Sequence, residues 1–118
     1  MLRESVDGLS GRYGAPALVE APETVQLSPE QGEGVLRIVA EAYRNAVRHG
    51  AASCVEVTLT QAPLRLVVRD DGTGFDPSST CSGGFGLTSM RERAEGLGAR
   101  FDLHSQVGAG TTVEVRWT

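Results

Sequence analysis

Glu41, Asn45 and His49 recur one helical turn apart, at i, i+4 and i+8. At about 100° per residue they share one edge of a helix. A carboxylate in that position can orient or deprotonate an attacking group. The carboxamide of Asn45 offers a neutral oxygen to a hard cation such as Mg²⁺. The edge borders an apolar arc of Val35, Val39, Ala42, Tyr43, Ala46 and Val47, with Ile38 among the polar residues. Arg37, Arg44 and Arg48 lie further round, toward solvent. Alone, the stripe is only suggestive, because a solvated flank with i, i+4 hydrogen bonds has the same pattern.

The second candidate is Asp70. In the run Leu64 to Asp70, strict alternation puts its carboxylate on the same face as Leu64, Leu66 and Val68. A carboxylate on a core face needs a hydrogen-bond donor. Asp70 either caps its own turn through Gly72, or sits at a pocket floor and accepts from a ligand's amino group. Asp71 points the other way, toward solvent. Gly72 and Gly74 allow the backbone close to a flat ligand.

Two further glycine clusters follow. Gly83-Gly84-Phe85-Gly86-Leu87 leads straight into a helix. Free N–H groups and the helix dipole make such a start an anion site. No G-x-G-x-x-G is present, so it is not the dinucleotide fingerprint. Gly108-Ala109-Gly110-Thr111 precedes a strand and reads as a hairpin turn.

The elements that must position these groups are legible from pattern. Residues 1–11 suggest a short helix ended by Gly11 or Gly14, and Ala17 to Glu20 a short strand. Ser28 is an N-cap candidate with Pro29 at the first helical position, so a helix runs from there to about His49 and stops at Gly50. Gly32 and Gly34 weaken its first turns by roughly 1 kcal/mol each. Val55, Val57 and Leu59 alternate in one strand and Leu64, Leu66 and Val68 in the next. Residues 70–86 form a long glycine-rich loop, of the kind that tends to be functional. A helix over Thr88 to Leu97 follows, with Gly98 as its stop. Phe101 and Leu103 mark one closing strand, and Thr111, Val113, Val115 and Trp117 the other. The sum is an α/β sandwich, a mostly antiparallel sheet covered on one face.

Composition narrows the chemistry. The chain has 118 residues, one domain's length, and a formal net charge of -4. All 11 cations are Arg. Without lysine there is no Walker-type phosphate loop and no Schiff base. The acidic balance and the lack of a basic run argue against nucleic-acid binding. No apolar run approaches the length of a membrane span, and Met1 to Gly11 lacks the core of a signal peptide. Cys54 and Cys81 stand 27 positions apart with only two histidines in the chain, which disfavours a four-ligand zinc site. A cytoplasmic location is the default expectation.

In this order the pieces resemble the boxes of the GHKL ATPase superfamily. Glu41-Ala-Tyr-Arg-Asn45-Ala-Val-Arg48-His49 looks like its N box, and Asp70-Asp-Gly72-Thr-Gly74 like its G1 box. Gly84-Phe-Gly86-Leu87 looks like the G2 box, and Gly110-Thr111 resembles the threonine turn near the adenine. The string Gly86-Leu-Thr-Ser-Met90-Arg-Glu-Arg-Ala94, with Leu27-Ser-Pro29-Glu30 upstream, is similar to sensor histidine kinases that pair with NarL-type response regulators. Ser89 departs from the glycine usual there.

The resemblance implies the two-layer α/β sandwich of the Bergerat fold over residues 1–118, with helices on one face. It implies ATP and Mg²⁺ as ligands. Asn45 would coordinate the Mg²⁺, with Glu41 as base or water-orienter and a second metal candidate. Arg48 and His49 could meet phosphate oxygens. Asp70 would accept from the adenine amino group, supported through water by Thr111, with Gly72 and Gly74 flanking the base. Residues 75–85 would form a lid, hinged at Gly84 and Gly86 beside Leu87.

The implied activity is that of a histidine protein kinase. That family phosphorylates a histidine on a separate dimerisation helix, and the phosphoryl group passes on to a response regulator. Only 26 residues precede Leu27 and neither His49 nor His104 lies among them. The expectation is an isolated catalytic domain without membrane contact of its own, cut from a kinase that could be membrane-anchored. A stand-alone anti-sigma factor serine kinase of the same fold is the alternative.

Overall fold

Ser28 and Gln31 form a reciprocal capping box. The Gln31 amide donates to Ser28 Oγ at 3.1 Å, and the Ser28 amide donates to Gln31 Oε1 at 3.0 Å. They start α2, a helix of 20 residues over Pro29–Arg48. The computed structural model describes residues 2–22, 25–48, 51–61, 63–74 and 87–117. In chain order the elements are α1 (Leu2–Tyr13), β1 (Ala17–Glu20), α2, β2 (Val55–Thr60), β3 (Arg65–Asp70), α3 (Leu87–Gly96), β4 (Ala99–Ser105) and β5 (Thr111–Trp117). The first helix ends at Gly14, whose φ of 91° suits the left-handed stop of a helix.

The five strands form one mixed sheet in the order β1-β2-β3-β5-β4. β1 runs parallel to β2, with α2 as the crossover between them. The other three pairings are antiparallel. This is the mostly antiparallel α/β sandwich that the pattern of apolar residues predicts.

Alternation decides which face is covered. Val55, Val57, Leu59, Leu66, Val68, Phe101, Val113, Val115 and Trp117 are buried on one face. Val35, Ile38, Val39, Ala42, Tyr43 and Ala46 of α2 pack with them, together with Val6 of α1 and Met90 and Ala94 of α3. The opposite face carries Glu56, Arg65, Arg69, Arg100, His104 and Arg116, all exposed. His104 faces solvent, as its place in a closing strand suggests.

Propensity treats Gly32 and Gly34 as weak points of α2, but both are buried. A Cβ at Gly34 would lie 2.2 Å from Leu97 Cδ1. The missing side chain is what lets the end of α3 approach α2, so packing outweighs the propensity cost here.

Candidate functional site

The candidate residues Asp70, Gly72, Gly74, Gly110 and Thr111 gather at one end of the sheet, where β3 ends and β5 begins. Asp70 is the last residue of β3 and stands opposite Val55 of β2 and Thr111 of β5. Its carboxylate is half-buried and accepts the Gly72 amide at 2.8 Å. The turn-capping role is thus present in the structure, on a side chain that is only half-buried. Burial raises its pKa above the ordinary 3.8; backbone hydrogen bonds from Gly72 and Thr111 act in the opposite direction, and the neighbouring Asp71 charge adds to the rise.

The glycines around Asp70 are required by backbone contact. A Cβ at Gly110 would lie 2.3 Å from the Asp70 carbonyl oxygen, and Gly110 has φ of 79°. A Cβ at Gly74 would lie 2.1 Å from the Gln106 carbonyl oxygen, at φ of 66°. Here Gly74 makes room for the β4–β5 turn, a reason that the sequence reading did not supply. The Gly108 amide donates to the Thr73 carbonyl at 2.5 Å and locks the same turn.

Thr111 is half-buried beside Asp70, and its hydroxyl shares a 2.8 Å hydrogen bond with Ser105 Oγ. Sequence reading missed Ser105. Only the hairpin register, which pairs Ser105 with Thr111, brings it into view. Asp71 was also underread. It is exposed as expected, but its carboxylate accepts the amides of Ser53 at 2.8 Å and Cys54 at 2.9 Å.

Glu41 and Asn45 are half-buried on the edge of α2. Glu41 accepts from Arg44 at 2.6 Å. Glu41 and Arg44 line a cleft of about 220 Å³ between α2 and α3, with Arg37, Ser89, Met90 and Arg93. Arg48 is exposed, and its guanidinium lies over the Tyr13 ring of α1, 5.8 Å from the centroid. Leu87 is the first residue of α3. His49, Gly84, Gly86 and the expected lid over residues 75–85 fall outside the described residues.

The donor set fits Mg²⁺. Asn45 and Glu41 present hard oxygen ligands one turn apart, and among the described residues no group of three or more His, Cys, Asp or Glu side chains could hold a metal alone. A larger groove of about 830 Å³ is lined by Leu2, Pro22, Val25, Leu27, Leu36 and Leu59. It lies toward the other end of β2 from Val55 and Asp70, so volume alone would point away from the polar cluster.

Comparison with known proteins identifies the family. Residues 30–118 match the family described as histidine kinase-, DNA gyrase B-, and HSP90-like ATPase. The nitrate/nitrite sensor protein NarQ of Escherichia coli is 33% identical over 118 residues, covering 97% of this chain and 21% of that protein. The sensor histidine kinase LiaS of Bacillus subtilis is 42% identical over 84 residues, covering 70% of this chain and 23% of that protein. The chain thus spans about a fifth of the length of these relatives.

Among solved structures, the histidine kinase domain of a blue-light activated histidine kinase from Erythrobacter litoralis superposes with a TM-score of 0.78 at 26% identity, over 98% of this chain and 58% of that one. The ATP binding domain of PrrB from Mycobacterium tuberculosis shares the fold, with a TM-score of 0.71 at 18% identity, over 97% of this chain and 90% of that one. These relatives favour the sensor-kinase reading over a stand-alone serine kinase. By the match over residues 30–118 and the likeness to these sensor kinases, the chain belongs to the histidine kinase-, DNA gyrase B- and HSP90-like ATPases, and it is an ATPase domain similar to those of sensor histidine kinases.

Proposed function

We propose that the chain binds Mg-ATP and delivers the γ-phosphoryl group to a histidine on a dimerisation domain, for relay to a response regulator. The observation that carries this reading is the half-buried Asp70 carboxylate, held between Gly72 and Thr111 at the strand end. A carboxylate fixed there is an acceptor for one exocyclic amino group, which adenine supplies and the keto edge of guanine does not.

Asp70 binds the base and Thr111, tethered by Ser105, supports it. Gly72 and Gly74 would flank the base, with Gly74 also admitting the β4–β5 turn. Asn45 would hold the Mg²⁺, with Glu41 as a second ligand candidate. When bound, that ion neutralises phosphate charge. The start of α3 at Leu87, with the glycines before it, supplies amides to phosphate oxygens. In the transfer, the bond between the γ-phosphorus and its bridging oxygen breaks and ADP leaves. A new bond forms to an imidazole nitrogen. Glu41 orients that imidazole and takes its proton. Arg48 and His49 are the N-box groups that would meet phosphate oxygens, and Arg48 must leave Tyr13 to do so. The reading places the domain in the cytoplasm, as part of a parent kinase that could be membrane-anchored. Among the described residues no helix is long and apolar enough to cross a membrane.

The test is transfer from γ-labelled Mg-ATP to a separately expressed dimerisation segment. Acid-labile, base-stable label on that segment supports the reading. Label only on serine of an added anti-sigma antagonist contradicts it.

A further inference from the structure

Asp71 follows Asp70 and turns away from it. Its carboxylate oxygen Oδ1 accepts both the Ser53 amide at 2.8 Å and the Cys54 amide at 2.9 Å. The Asp71 amide donates back to the Cys54 carbonyl at 3.4 Å. Two amides on one carboxylate oxygen favour its ionised form. Ser53 and Cys54 belong to the connection between α2 and β2. That connection is itself tied to α2, because the Ala52 amide donates to the Ala46 carbonyl at 2.9 Å. Contacts therefore run without a break from the helix of Glu41 and Asn45, through residues 52–54, to Asp71 and the neighbouring Asp70.

The far side of the same strip is also held. Thr73 accepts the Gly108 amide at 2.5 Å, and Gly74 and Gly110 bring the β4–β5 turn against it. Residues 70–74 are thus braced from both flanks, and the Asp71 side chain braces the flank toward the α2–β2 connection.

We infer that Asp71 is a positioning residue for base recognition. It fixes residues 70–74 against the α2–β2 connection, so that Asp70 meets the base in one geometry. The inference rests on the reading of Asp70 as the base acceptor. A fixed acceptor rejects a wrong base because that base leaves polar groups unpaired. A strip free to slide relaxes the penalty.

The experiment is calorimetric titration of the whole chain with ATP and with GTP, far below the unfolding midpoint. Wild type is compared with Asp71→Asn, which keeps an oxygen able to accept both amides, and with Asp71→Ala, which removes it. The asparagine variant should keep the wild-type ratio of GTP to ATP dissociation constants. The alanine variant should lower that ratio on the order of tenfold. An unchanged ratio in a folded alanine variant overturns the inference and leaves Asp71 a purely structural clamp. An asparagine variant as defective as alanine also overturns it, because charge and not the amide brace would then be at work. Should the alanine variant fail to fold, Asp71→Ser keeps a shorter acceptor. Its ratio should fall between wild type and the tenfold loss, and a wild-type ratio overturns the inference. Asp70→Ala separates the two ideas: full base discrimination in that variant refutes the base-acceptor reading itself.

Discussion

Gly110 lies so close to Asp70 that a Cβ on it would stand 2.3 Å from the Asp70 carbonyl oxygen. Gly110→Ala therefore carries two penalties, a left-handed φ of 79° and a clash with backbone. The strain alone costs on the order of 1–3 kcal/mol, and the clash moves the strand end that carries the acceptor. Gly108→Ala is the matched control. Its φ is 84° but nothing lies within 4 Å of the added Cβ. Denaturant unfolding should show the larger loss for Gly110→Ala, and ATP affinity should fall only in that variant.

The two adjacent aspartates should act on stability with opposite signs of pH dependence. Burial raises the Asp70 pKa above 3.8, so the folded state holds its proton more tightly than the unfolded chain. Compared with Asp70→Asn, wild type should lose stability as pH rises from below 3.8 through the raised folded value. Backbone hydrogen bonds from Cys54 and Ser53 lower the Asp71 pKa below 3.8. Compared with Asp71→Asn, wild type should hold its advantage above 3.8 and lose it as pH falls through the lowered folded value. Urea unfolding over a pH series checks both, and differences running in the same direction would contradict the assignment.

Substitutions at Asn45 and Glu41 should separate metal binding from proton transfer, since Glu41→Gln keeps an oxygen for the ion. Asn45→Ala should flatten the dependence of ATP affinity on Mg²⁺ concentration, and an unchanged dependence would remove the metal role. Glu41→Gln should leave ATP affinity close to wild type while slowing transfer to the histidine-bearing segment by about 10²–10⁴-fold. An unslowed transfer would assign Glu41 to geometry only.

Arg48 lies over Tyr13, and on the proposed function it would also be drawn to phosphate. A cation over an exposed ring is worth about 0.5–1 kcal/mol, and a phosphate oxygen competes for the same guanidinium. A double-mutant cycle of Tyr13→Leu with Arg48→Ala should give a coupling of that size without nucleotide and a smaller one with Mg-ATP. A coupling that ignores the nucleotide would leave Arg48 as a packing residue of α1.

Much of this molecule was written in local pattern. Period-2 alternation assigned β2, β3 and β5 to the right face, and Ser28 as N-cap with Pro29 after it marked the start of α2. The Glu41–Asn45 spacing and the glycines around Asp70 pointed to the candidate site, because helical edges and turn residues are local properties. What stayed hidden depends on pairs far apart in the chain. Gly34 reads as a flaw until Leu97 is seen against it, and Asp71 reads as solvent-facing until Ser53 and Cys54 reach it. Ser105 becomes visible only through the β4–β5 register. Arg48 could be placed on α2 from its spacing, but its contact with Tyr13 needed the packing of α1.

The central claim is that Asp70 is the base acceptor of an ATP site. Calorimetric titration of Asp70→Ala with Mg-ATP, on protein shown to be folded, addresses it most directly. The account predicts that binding seen in wild type is lost in the variant. Wild-type affinity in a folded Asp70→Ala chain would contradict it.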